Sequence, residues 1–211
     1  MQYIYPFVVS FIFILFSELG DKTQILVLSF STKNKASYIL IGVALGTLLS
    51  HGLAIIFGSK LGILGNEHFI YYLKLFTYLS FILFGILGFV KLRKSSLSNS
   101  EIQSTEKSAK SHFIKLLSSM TQNCILVVAF SIAIGELGDK TFLASLGLGI
   151  EYPLLKLPLI LGSVCGMVTS NSIAIFFGKW IGTKFSNNMI EILSNIIFLL
   201  FGFVGIVGIL V

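Results

Sequence analysis

Three stretches of this chain run for more than twenty residues almost without charge. Residues 38–58 carry no charge beyond a possible one on His51, residues 69–90 only Lys74, and residues 157–178 none at all. A helix needs about 20 apolar residues to cross the ~30 Å hydrocarbon core of a bilayer. Inside that core every backbone polar group must be satisfied internally, which leaves helices as the form for runs of this kind. The feature therefore restricts the chain to membrane-spanning helices. Composition agrees, since 11% of residues are charged and 55% hydrophobic, with a mean hydropathy of +0.94. Soluble domains carry about 25% charged residues, and a deficit spread over the whole length leaves too little polar surface for a water-soluble globule.

Hydropathy predicts an all-α integral membrane protein with six transmembrane helices, over residues 4–30, 38–59, 69–91, 123–150, 155–178 and 189–211. Polar and turn residues fill the breaks at 31–35, 60–68, 151–156 and 179–188, and a longer serine-rich stretch separates the third span from the fourth. The apolar run at residues 4–16 resembles a signal peptide in length. It lacks a basic segment before it and a small-residue cleavage site after it, so it reads as part of a retained first helix. Cys124 and Cys165 both fall in apolar helices and predict free buried thiols rather than a disulfide framework.

The chain is also duplicated. Ser17-Glu18-Leu19-Gly20-Asp21-Lys22-Thr23 returns as Gly135-Glu136-Leu137-Gly138-Asp139-Lys140-Thr141, an offset of 118 residues. Ala54-Ile55-Ile56-Phe57-Gly58 returns as Ala174-Ile175-Phe176-Phe177-Gly178, and Leu83-Phe84-Gly85 as Leu200-Phe201-Gly202. The order is kept and the offset nearly constant, so residues 1–92 form a first three-helix repeat, 93–122 a linker and 123–211 a second repeat. Because three is odd, the second copy is inverted relative to the first. The loops on the linker side hold ten Lys and Arg residues and the opposite side three. The positive-inside rule then makes the linker cytoplasmic and puts both termini outside. Inverted repeats around a midplane site are the architecture of many secondary transporters.

The doubled motif supplies the chemistry. Glu18, Asp21, Lys22, Glu136, Asp139 and Lys140 all sit halfway along expected spans. Each would cost roughly 2.5–3.5 kcal/mol facing lipid, so they must face one another or a wet cavity. Glu and Asp three apart fall on one helix face, with Lys close by. Gly20 and Gly138 weaken the helix or admit another backbone, while Thr23 and Thr141 cap freed backbone groups or lend an oxygen. Structural ion pairs Glu18–Lys22 and Glu136–Lys140 would leave Asp21 and Asp139 without partners. Four carboxylates against two ammonium groups leave two negative charges, which one divalent cation or two protons neutralise. That competition is what a cation/proton exchanger needs. Oxygen ligands without His or Cys clusters suit hard ions such as calcium and manganese. The expected ligands are Glu18, Asp21, Glu136 and Asp139, the ion is cargo, and no resident cofactor is expected.

Ser50-His51 in the second span aligns with Ser170-Asn171 in the fifth, and with Gln24 and Ser17 these are candidate pathway residues. The competing reading for the serines is close helix packing or bonds back to their own helix. Glycines 42, 46, 58, 85, 162, 166, 178 and 202 read as packing contacts.

A twofold Glu-x-Gly-Asp-Lys-Thr motif in the first and fourth of six spans resembles the family of Golgi calcium/manganese–proton exchangers, which includes chloroplast manganese transporters and bacterial MneA-like manganese exporters. Both copies match without departure. The resemblance implies that the acidic residues bind Mn2+ or Ca2+ and that the ion leaves the cytosol in exchange for protons. It implies a transporter, not an enzyme, whose partners are the cation, protons and the lipid bilayer, with no nucleic acid. The missing long N-terminal extension points to a bacterial inner-membrane member. A passive divalent channel lined by the same carboxylates is the alternative. An exporter of small solutes fits poorly, because the motif's net acidity offers an anion no partner. An intramembrane aspartyl protease fits worst, because its Gly-x-Gly-Asp spacing is absent and lysines beside the aspartates oppose a shared proton.

Overall fold

The computed structural model describes residues 3–19, 21–31, 34–95, 123–184 and 187–210, and these form eight helices and no strand. In chain order they are α1 (Ile4–Ser17), α2 (Lys22–Ser31), α3 (Ala36–Leu64), α4 (Glu67–Ser95), α5 (Cys124–Glu136), α6 (Lys140–Glu151), α7 (Lys156–Lys184) and α8 (Asn187–Leu210). Four of them, α3, α4, α7 and α8, are long and apolar enough to cross a membrane. Most of the expected linker, residues 96–122, lies outside the described residues.

The first and fourth expected spans are not continuous helices. Each is split at the charged motif into two shorter helices, α1 with α2 and α5 with α6. Both halves of the chain therefore run short, short, long, long. Local chemistry sets the ends. Asn66 Oδ1 accepts from Phe69 N at 2.8 Å at the start of α4, and Asn123 Oδ1 accepts from Ile125 N at 3.1 Å at the start of α5. These side chains satisfy backbone donors that the first helical turn leaves free. Tyr152-Pro153 stops α6, because the residue before a proline is pushed out of the α region.

Polar side chains share the interior with an apolar core, while many large apolar side chains face outward. Ser17, Glu18, Thr47, Ser50, His51, Glu136, Thr141, Ser145, Ser170 and Asn171 are all at most 1% exposed, while Leu53, Phe57, Phe76, Leu83, Leu161, Phe176 and Phe203 face outward. Polar residues inside and large apolar residues outside are what a hydrocarbon solvent selects. The protein is a multi-pass membrane protein.

Helix α3 lies at the centre, packed on α5, α6 and α7, while α1 packs on α7 and α4 on α8. With no hydrophobic drive between helices in lipid, close approach depends on small residues. Gly42 and Gly46 of α3 press on α5, where a Cβ at Gly46 would stand 2.5 Å from the Ala129 carbonyl oxygen. Gly162 and Gly166 of α7 repeat the contact on α1, with a Cβ at Gly166 only 2.7 Å from the Phe11 carbonyl oxygen. Gly58, Gly85 and Gly202 are likewise at close contacts, as expected from the sequence; the surroundings of Gly178 lie outside the described residues. The cysteines are free but not buried: Cys124 is half-buried and Cys165 exposed. An apolar thiol can face hydrocarbon without the penalty a polar group would carry.

Candidate cation site

The break between α5 and α6 is a turn written into the motif. Asp139 N bonds to Glu136 O at 3.2 Å, closing a four-residue turn. Leu137 has φ −61° and ψ 119°, and Gly138 has φ +80°. These are the angles of a type II turn, whose third residue must take a positive φ. Gly138 is therefore required for its conformation. No backbone approaches it, since a Cβ there would meet nothing within 4 Å, which corrects the close-approach reading. Asp139 Oδ1 then accepts from Lys140 N at 2.8 Å and caps α6. In the first half, Asp21 N bonds to Glu18 O at the same 3.2 Å. Gly20 and the side chain of Lys22 lie outside the described residues.

The break also corrects the one-face argument. Glu18 and Asp21 are not three residues apart on one helix; they lie on either side of the interruption, as do Glu136 and Asp139. Their meeting is set by the turn and by packing between the two halves.

Glu18, Asp21 and Glu136 come together: each has a carboxylate oxygen within 4.8 Å of one from each of the others. Oxygens at 2.3–2.6 Å from one Ca2+ can lie up to about 5 Å apart, so the spacing suits one cation. Glu18 and Glu136 are fully buried. Asp139 is not in this group; its carboxylate is engaged in the cap.

Each motif threonine serves its own glutamate across the break. Thr23 Oγ1 donates to Glu18 Oε2 at 3.5 Å, and Thr141 Oγ1 to Glu136 Oε2 at 3.1 Å. The second oxygen of each glutamate, Oε1, is buried without a donor. Among the described residues no ion pair joins Lys140 to Glu136. Lys140 Nζ instead donates to Ser194 Oγ at 3.3 Å and lies 5.2 Å from the centre of the Phe198 ring. The i to i+4 ion pair fails because the turn carries Lys140 onto a new helix.

The pathway candidates separate. His51 is fully buried on α3, with Nδ1 2.8 Å from Ser145 Oγ and Nε2 3.7 Å from Glu136 Oε2. Gln24 Nε2 donates to Ser170 Oγ at 2.7 Å, joining α2 to α7. Ser50 bonds back to Gly46 O on its own helix at 3.1 Å, the packing role. Asn171 Nδ2 does the same to Met167 O at 2.9 Å, leaving Oδ1 buried without a donor. Ser17 Oγ is also buried without a partner, and Ser17 O accepts from Ser194 Oγ at 3.3 Å.

Sequence reading missed Ser145 and Ser194. Ser194-Asn195 is a polar pair inside an apolar run, the same kind of signal that singled out Ser50-His51. Ser145, four residues past Thr141, is a small polar residue on the same face of α6 and gives almost no signal.

Two cavities flank the centre. One of about 230 Å³, lined by Tyr5, Tyr78, Phe81, Glu151, Tyr152 and Phe201 among others, lies at the C-terminal end of α6. Inside its wall, Phe81 and Phe201 pack on Phe13, five residues before Glu18. The other, of about 530 Å³, lies among Asn34, Tyr38, Asn123, Cys124 and Ile125. Because α3 meets α5 near its start and α6 near its end, the cavities lie at opposite ends of α3.

The family described as divalent cation/proton antiporter GDT1 matches residues 6–96 and 124–209, nearly all of both halves. A GDT1-like protein of Synechocystis sp. is 24% identical over 202 residues, covering 94% of this chain and 95% of its own length. A chloroplastic GDT1-like protein 1 of Oryza sativa subsp. japonica is 27% identical over 222 residues, covering 96% of this chain and 62% of that protein. GDT1-like protein 5 of the same plant is 34% identical over 79 residues, covering 37% of this chain and 33% of that protein. The chain thus spans less than two thirds of the rice relatives. No solved structure matches.

Proposed function

The chain belongs to the divalent cation/proton antiporter family GDT1, and from that premise we propose that it moves Mn2+ or Ca2+ out of the cytoplasm against protons through one carboxylate site. The observation that carries the reading is the convergence of Glu18, Asp21 and Glu136, drawn from both halves, with both glutamates fully buried and Asp21 partly so. Three carboxylates this close, two of them fully buried, need positive charge. A dication supplies it in one loaded state, and protons supply it in the other. Since both occupy the same oxygens, each displaces the other, and exchange follows without a separate coupling element.

The two halves are inverted repeats, with the split helices α1–α2 and α5–α6 bringing their broken ends to the midplane. Unwound backbone at membrane depth is tolerated where it lines such a site. Thr23 and Thr141 hold one oxygen of each glutamate, and Asp139 orients α6 and stands as the fourth acidic group. The Lys and Arg excess on the linker side makes that side cytoplasmic, so the cavity beside Asn34 and Asn123 faces the cytoplasm and the one beside Glu151 faces outward. Residues 1–92 and 123–211 are the two repeats. The cell membrane is the proposed location.

The test is flux in proteoliposomes with and without an imposed pH gradient. Uptake of Mn2+ or Ca2+ driven by the gradient, with counterflow of protons, is expected. Divalent flux indifferent to the gradient would overturn exchange and favour a channel.

A further inference from the structure

We propose that His51 Nε2 is a ligand of the transported cation and biases the site toward a transition-metal dication over Ca2+. This rests on the exchange reading above and narrows its substrate. The imidazole is wholly buried, and its Nε2 has no hydrogen-bond partner. That atom stands 3.7 Å from Oε2 of Glu136, a member of the three-carboxylate cluster, while His51 itself lies outside the set whose ligand atoms are all within 4.8 Å of one another. The distance is too long for a hydrogen bond. Nitrogen and oxygen ligands at about 2.0–2.5 Å from a shared ion stand roughly 3–5 Å apart, which brackets the observed gap.

The other ring nitrogen fixes the geometry. Nδ1 lies 2.8 Å from Ser145 Oγ on α6. A metal-binding histidine characteristically donates its second N–H to a neighbouring acceptor, which sets the tautomer and the ring plane. With the proton on Nδ1 and donated to Ser145, Nε2 presents a bare lone pair beside Glu136. Left empty, that arrangement sets a nitrogen lone pair against a carboxylate in a dry interior. A cation between them turns the clash into coordination.

The second half of the chain lacks this atom. The residue equivalent to His51 is Asn171, whose Oδ1 is an oxygen acceptor, also buried without a donor. The only imidazole nitrogen at these two positions comes from the first half. Carboxylate and amide oxygens accept Ca2+ and Mn2+ alike, whereas Ca2+ takes oxygen ligands and gains little from an imidazole nitrogen that a first-row transition dication can accept. That single nitrogen ligand is thus where a preference for Mn2+ over Ca2+ enters an otherwise hard oxygen site.

Pulsed EPR on the purified full chain loaded with Mn2+ reads the ligand directly. Nitrogen modulation of the bound Mn2+ is expected in the unaltered protein, and its loss in His51→Asn and His51→Gln. The remaining histidines, His68 and His112, stay in place as controls. In proteoliposomes the Mn2+/Ca2+ flux ratio should fall about tenfold or more in either variant, with Ca2+ flux retained. Bound Mn2+ without nitrogen modulation, or an unchanged flux ratio in both variants, overturns the role of His51 and leaves exchange standing. Saturable binding of Ca2+ but not Mn2+ does the same. Binding of neither ion overturns the exchange reading together with this inference.

Discussion

Thr141 and Glu136 belong to different helices and are joined by a 3.1 Å hydrogen bond across the break between them. Thr23 and Glu18 repeat the arrangement at 3.5 Å. In each motif the threonine after the turn thus bonds to the glutamate before it. Hydroxyl donation occupies one carboxylate oxygen and leaves the other, Oε1, without a donor.

Removing that donor should disorient the glutamate without changing the shape of the core. Thr141→Val is nearly isosteric and leaves Glu136 Oε2 short of a bond that is worth about 1–3 kcal/mol when a buried acceptor loses its partner. Weaker Mn2+ or Ca2+ binding is expected from Thr141→Val and near-normal binding from Thr141→Ser, both read by calorimetry in detergent. Equal affinity in the two variants would remove the threonine from the site.

The acidic residues should not be equivalent. Glu18→Gln, Asp21→Asn and Glu136→Gln alter the three that converge, and each should weaken cation binding by about 10–100-fold, the scale on which changes around a metal site act. Asp139→Asn keeps a side-chain oxygen for the cap on Lys140 N and lies outside the cluster, so its binding constant should change least. Matched losses across all four would place Asp139 among the direct ligands.

The Asp139 cap carries its own signature. Asp139→Ala removes the acceptor at the start of α6 and should cost about 1 kcal/mol of stability, whereas Asp139→Asn should cost much less. Thermal unfolding in detergent separates the two. A melting point equal for Ala and Asn would show that the cap contributes nothing.

Gly138 tests the turn. With φ at +80° and open space around it, Gly138→Ala meets no clash, and its whole effect is the roughly 1–2 kcal/mol of a left-handed backbone. Gly138→Asn, better tolerated in that region, should recover part of the loss. If alanine leaves both the melting temperature and the flux unchanged, the turn does not need glycine.

At the helix interface the effect is steric instead. Gly46→Leu forces a side chain into the Ala129 carbonyl and the Ile132 side chain, separating α3 from α5. Loss of monodisperse protein on size-exclusion chromatography is expected, and a normal elution profile would contradict the packing.

Much of this was legible in the residues. The nearly uncharged runs at 38–58, 69–90 and 157–178 foretold α3, α4 and α7, because hydrocarbon thickness sets a length that composition alone can meet. The paired motifs marked the site, since six ionisable groups have no other business at midspan. The glycines at 42, 46, 162 and 166 were also legible as packing contacts, though not their partners. Other features were out of reach. Hydropathy averages over a window, so Leu137-Gly138 read as helix, although the type II turn there splits the span and sends Lys140 to Ser194 and Phe198.

By itself, then, the sequence determined a membrane-spanning helical chain with two copies of one acidic motif, because burying or exposing each residue in lipid is a local cost. Tertiary structure alone decided that Glu136 meets Glu18 and Asp21, that Asp139 is used as a cap, and that His51 stands beside Glu136. Those outcomes depend on which helices touch, and Glu136 lies 85 positions beyond His51 in the chain. Contacts over that separation are set by glycine-lined packing of α3 on α5 and α6, which no local spacing records.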